Sequence, residues 1–247
     1  LGVFDIFLLT VFRERSFSGV NARPSLPLVI HEESTEFESG AEKYRLDLAF
    51  RLSHYFGDLD LGLSHFSGTS REPRLLPKNQ DFDQSPDTAE YLMPYYDVID
   101  QTGIDAQYFL EDWAWKLEYI RRSGQGARFW ASVTGFEKTF VGVFNTRADL
   151  GLLIEHLYDS RENLLMNYTE NDLALGMRYS LNNIWDTNAL LVALYDIDSK
   201  EYVLNLEAST RMGTNWRLSL EASLFLNIPG PAFVDDSWGT SEKRLFD

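Results

Sequence analysis

Two groups of side chains in this chain of 247 residues have types and spacing that could do chemistry. The first is His65-Phe66-Ser67, an imidazole and a hydroxyl two residues apart. On an extended strand that spacing puts both on one face, where a histidine can take the serine's proton and turn the hydroxyl on an ester. A full set needs a third group to orient His65. His54 lies across the expected hairpin and Asn79 and Asp97 lie nearby in sequence, but spacing assigns the role to none of them. The plainer reading of the same residues is a histidine near a strand end beside a loop serine.

The second group is a set of ions that recur on one parity of alternating segments. It comprises Arg45, Asp47, Arg51, Asp60, Asp105, Lys116, Glu118, Glu155, Arg178, Glu207, Arg211, Arg217 and Glu221. Arg45, Asp47, Arg51, Lys116, Glu118 and Glu155 are spaced for cross-strand ion pairs, which would either line a conduction path or rigidify a filled interior. Near-balance of sign predicts weak ion selectivity. No EF-hand loop, Walker motif, HExxH or glycine-rich nucleotide fingerprint is present, so no cofactor or metal is expected. The net charge of −16 and pI near 4.6 exclude a general nucleic-acid binder. Cysteine is absent, which removes thiolate and disulfide chemistry.

Residues 44–66 (YRLDLAFRLSHYFGDLDLGLSHF) show how such ions would be positioned. Leu46, Leu48, Phe50 and Leu52 alternate with Arg45, Asp47, Ala49 and Arg51. After Gly57-Asp58 the alternation resumes with Leu59, Leu61 and Leu63. Period two on both sides of a Gly-Asp pair predicts a hairpin with Phe56 opposite Leu59. Further strands are expected over residues 1–11, 98–110, 113–122, 127–144, 149–159, 172–181, 188–197, 201–212 and 216–226. Segment 127–144 has no clear facing, and a weaker last strand lies over 233–246. Residues 12–41 and 67–96 read as long loops, with 160–170 a shorter one; 57–58 and 111–112 read as tight turns. Their acidic residues (Glu32, Glu33, Glu36, Glu38, Asp81, Asp83, Asp87, Glu90) read as solvating charge, with cation bridging to lipopolysaccharide phosphates as the alternative.

A soluble β-protein would turn its apolar faces inward. Here about eleven strands rich in Leu, Trp and Tyr would overfill the interior of a small barrel. Small residues (Gly62, Gly103, Gly151, Ala174, Gly176, Ser219) sit instead on the charged parity, where space would be limited. In the cleanest strands the apolar parity carries a single charge, Arg121, next to a turn. Aromatics near strand ends (Tyr44, Trp113, Tyr158, Tyr179, Tyr202, Trp216) match an interfacial girdle. The expectation is an all-β, antiparallel up-and-down transmembrane barrel of about 12 strands, one domain over 1–247, with long loops at one end and tight turns at the other. The chain begins at Leu1 rather than Met, as a processed form or a fragment would.

Three segments, DWAWKLEYIRRSGQ (112–125), ADLGLLIEHLYDSR (148–161) and NWRLSLEASLFLN (215–227), give the chain a texture that resembles bacterial outer-membrane β-barrels, porin-like members among them. The resemblance implies a Gram-negative outer-membrane location and passive or loop-gated diffusion of small polar solutes. Its implied partners are outer-membrane lipid, lipopolysaccharide and the barrel-assembly machinery. Such barrels end on a strand with a terminal Phe, whereas here Leu245-Phe246-Asp247 stands one residue off. The His65/Ser67 spacing is similar to that of outer-membrane phospholipases and lipid A deacylases, although Gly68 stands where those families usually have Asn. That keeps an outer-membrane lipid esterase as one alternative and a non-conducting structural or adhesion barrel as another.

Overall fold

The computed structural model describes residues 2–18, 28–78, 90–161 and 170–227. The expected last strand with Phe246, and Asn79, Asp81, Asp83 and Asp87, lie outside the described residues. Eleven strands form one antiparallel meander. In chain order they are β1 (Val3–Leu9), β4 (Asp47–Phe56), β5 (Leu59–Thr69), β8 (Val98–Leu110), β9 (Trp113–Gly124), β10 (Gly126–Phe140), β11 (Asp149–Asp159), β12 (Asn171–Ser180), β13 (Asn188–Asp196), β14 (Tyr202–Met212) and β15 (Trp216–Leu226). Each expected strand from residue 1 to 226 is present. The sheet is open, with β1 and β15 as its edges among the described residues.

Register follows the alternation. Phe56 faces Leu59 across the first turn, where Gly57 takes φ +64°, a left-handed conformation open to glycine at little cost. Leu52, Leu63, Ile104 and Tyr119 then fall in one row on the apolar face. Strand β10, whose facing the sequence leaves open, is fixed by its neighbours. Gly135 opposes Lys116 and Glu155, which puts Glu137 on the polar face and Trp130, Phe136 and Lys138 on the apolar face. Its alternation is blurred because Gly, Ala, Ser and Thr occupy both parities, and a register shift lies between Gly126 and Phe129.

Residues 12–41 and 67–96 are not simple loops. They contribute β2 (Val29–Ile30), β3 (Glu36–Phe37), β6 (Arg74–Lys78) and β7 (Tyr91–Tyr96), which form a second sheet. β2 and β3 run parallel to β7, and β6 runs antiparallel to it. Two of these strands are too short to show a period, and β7 (YLMPYY) is apolar on both faces and contains Pro94. Most of the buried apolar residues collect here: Phe12, Leu75, Leu92, Met93, Tyr96 and Ile99. Both segments leave the large sheet at the end defined by Leu9, Asp47, Thr69 and Val98, the end from which residues 160–170 also depart. The three longest connections thus share one end.

Tyr44 and Arg45 are not on a strand. Tyr44 closes a single 3-10 turn, Glu42–Tyr44, through its N–H to the Ala41 carbonyl (3.0 Å), and the Arg45 N–H bonds the Glu42 carbonyl (3.3 Å). These local bonds bend the chain before β4 begins at Asp47.

Candidate functional site

The polar face of the large sheet carries the ions that the alternation singled out. Arg51 on β4 donates two hydrogen bonds to Asp105 on β8, at 2.6 and 2.7 Å. The pair reaches over β5, and a Cβ at Gly62 would land directly on both groups. Lys116 pairs with Glu137 (3.1 Å), and Arg178 reaches the other oxygen of Glu137 (3.4 Å), so one carboxylate links β9, β10 and β12. Of the six ions spaced for cross-strand pairs, Glu118 and Glu155 lie on this face, and Lys116 takes Glu137, across β9–β10, as its partner. Asp60 also lies on this face, opposite Gln107. At the far edge Glu207 opposes Glu221 and Arg211 opposes Arg217, with Asp186 bonded to Arg217 at 3.1 Å. Glu207, Arg217 and Glu221 line a polar groove of about 620 Å³ together with Asp149, Arg178 and Ser209.

The second sheet is tied to the same face. Asp47, only 1% exposed, accepts from Arg45 (2.6 Å), from Arg71 (3.1 Å) and from the Thr69 N–H (2.9 Å), and Gly68 leaves the space it occupies. Glu72 accepts from Arg122 on β9 (2.9 Å) and lies 3.5 Å from Arg161, just past β11. The Gln125 amide bonds the Glu72 carbonyl. Arg122 also bonds Gln101 (2.8 Å), and Arg161 forks onto Asp159. Burial works against the Arg161 charge, but the bonds to Asp159 and the charge of Glu72 more than offset it, holding the guanidinium above its ordinary pKa. Within the second sheet the Arg74–Asp97 pair raises the Arg74 pKa through its hydrogen bonds. Sequence reading missed Glu72, Arg161 and Glu137 as site members. Glu72 and Arg161 lie off the alternating strands, and Glu137 lies in the strand of unresolved facing.

On the apolar face, His65 and Ser67 share a side, as expected. Two polar neighbours come from β8: Thr102 opposite His65 and Asp100 opposite Ser67. The His65 Nδ1 is bonded to Thr102 Oγ1 (2.9 Å), and its Nε2 is 3.9 Å from an Asp100 oxygen. Asp100 thus lies beside the ring, on a parity legible in the sequence, but beyond hydrogen-bond reach of it. Among the described residues Ser67 makes no hydrogen bond to His65, so the hydroxyl is not held by the ring. His54, opposite Leu61, and Asp97, bonded to Arg74, do not take the third place; Asn79 lies outside the described residues.

Of the expected girdle, Trp113, Tyr179 and Trp216 lie on the apolar face at the tight-turn end, and Tyr158 and Tyr202 on that face at the long-loop end. Trp113 stacks with Trp115 and carries Lys138 4.5 Å above its ring. Trp130, which the sequence did not single out, stacks on Tyr158 at 4.6 Å. Tyr195 stacks on Tyr202 at the same distance. Tyr44 stands apart from this set, on its 3-10 turn.

Comparison of the chain with protein-family models, with curated proteins and with solved structures found no match.

Proposed function

We propose that this chain forms the wall of an outer-membrane β-barrel channel for small polar solutes, with the second sheet folded inward as its constriction. One observation carries the reading. An eleven-strand sheet presents a continuous apolar face that no other described residue covers, backed by a face of ions that are mostly paired. Leu48, Leu63, Ile104, Leu117, Ile154, Leu175 and Leu191 all stand exposed on it, spanning the sheet from β4 to β13. At a strand spacing of about 4.8 Å the eleven strands extend roughly 50 Å across. A soluble monomer rarely exposes a contiguous apolar patch of more than a few hundred Å². Lipid would cover this one, and the aromatics at both strand ends suit the two membrane interfaces. The polar face then lines the lumen, and the corner at residues 70–72 narrows it through Arg71 on Asp47 and Glu72 on Arg122.

The test is conductance of purified protein in a planar lipid bilayer. Discrete, ohmic channel events are expected, with weak selectivity because the ions of the polar face are largely paired. Silence under conditions where a known porin conducts would overturn the channel reading.

A further inference from the structure

Arg122 and Arg161 converge on a single carboxylate, that of Glu72, and three features make the place they define a built site. The two guanidinium groups lie over the same Phe129 ring, 5.2 and 3.9 Å from its centroid, and Phe129 is buried. The guanidinium groups are themselves mostly covered, at 14% and 19% exposure. Neutral amides, Gln101 and Gln125, accept from Arg122 and fix its direction without cancelling its charge.

The charge count shows what Glu72 does. Asp159 neutralises Arg161, and among the described residues Arg122 has no carboxylate other than Glu72. Glu72 reaches the site from outside the strand lattice, on a corner where the Ser70 hydroxyl bonds both its N–H and its carbonyl. Its side chain is 40% exposed, so it can leave without breaking a strand ladder. With Glu72 withdrawn, the site would hold one uncompensated positive charge, a flat apolar floor and donors in fork geometry. That combination recognises an oxyanion.

We infer that Arg122 and Arg161 form a binding site for a small oxyanion, a carboxylate or a phosphate, and that Glu72 is its internal occupant in this structure. A solute anion exchanges with Glu72 and so removes one of the ties between this corner and the polar face, leaving those of Arg71 to Asp47 and of Gln125 to the Glu72 carbonyl. The inference rests on the channel reading only for the route by which the anion arrives. A tethered carboxylate competes at an effective concentration on the order of millimolar or higher, so the unaltered protein binds free anions weakly.

The experiment uses the full chain folded in detergent, with inorganic phosphate and succinate as separate probes. Binding is read by calorimetry and by the shift in thermal midpoint. E72A is expected to bind phosphate, succinate or both at least about tenfold more tightly than the unaltered chain, a difference of the size that removing a tethered competitor allows. E72Q, which keeps the side-chain volume, should do the same and serves if E72A does not fold. Adding R122Q to either should abolish the gain. Which probe binds separates a phosphate site from a carboxylate site. Unchanged affinity for both probes in E72A and E72Q, or a gain that survives R122Q, overturns the site. No step requires ion conduction, so a silent bilayer and a failed titration are separate results.

Discussion

Gly62 shows how much a single residue decides on the polar face. The Arg51–Asp105 pair joins two strands that are not neighbours, and only the missing side chain on β5 allows it. Gly151 is on the same face but in a different situation, since a Cβ there would meet only Arg178 atoms at 3.8 Å, ordinary contact. Gly62→Ala should therefore cost about 1–2 kcal/mol by forcing the pair apart or shifting a strand, with the half-exposed ions limiting the loss. Gly151→Ala should be close to neutral. Urea unfolding of both variants from lipid vesicles checks the difference, and equal costs would remove the special role of Gly62. The glycine's parity was legible in the sequence, but the pair above it was not. Arg51 and Asp105 are far apart in the chain, and alternation gives the face of a residue without giving its partner two strands away.

At the scale of elements, legibility followed the strength of the period. Strands β4, β5, β9, β11, β12, β14 and β15 alternate cleanly and were placed to within a few residues. β10 was located without its facing, because small residues on both parities remove the contrast that defines a face. The second sheet was not visible at all. Its strands β2 and β3 have two residues each, and β7 draws its stability from an aromatic cluster rather than a half-buried pleat. Tyr96 is the centre of that cluster, with its ring 4.7 Å from Phe12 and 5.2 Å from Phe37. Its hydroxyl accepts the Arg15 N–H at 2.8 Å. Tyr96→Ala leaves a cavity that should cost about 3–5 kcal/mol, comparable with other deletions of large buried aromatics. The loss should be local. Hydrogen exchange at β6 and β7 amides should speed up sharply while β12 to β14 remain protected, because the two sheets have separate cores. Uniform loss of protection would mean that the sheets unfold as one unit.

At the scale of the molecule, eleven strands in an antiparallel meander leave β1 and β15 running the same way, so closure by antiparallel pairing needs an odd number of further strands. An even total is what single-chain bacterial outer-membrane barrels have, as the proposed channel would require. The environment of the sheet's apolar face can be read from one substitution. Leu175 is mid-strand on the apolar face, between Ile154 and Ala193, and 44% exposed. If water covered that face, Leu175→Arg would change stability little, because a half-exposed leucine becomes a solvated arginine. If lipid covers it, the guanidinium enters hydrocarbon at about 2–4 kcal/mol near the midplane. Asn205→Arg supplies the matching change on the polar face, where Asn205 is exposed and opposes Val192 and Ser223. We expect the first substitution to cost several times the second when unfolding is measured from lipid bilayers. Equal, small costs would mean that the apolar face meets something other than a membrane, and the channel would go with it.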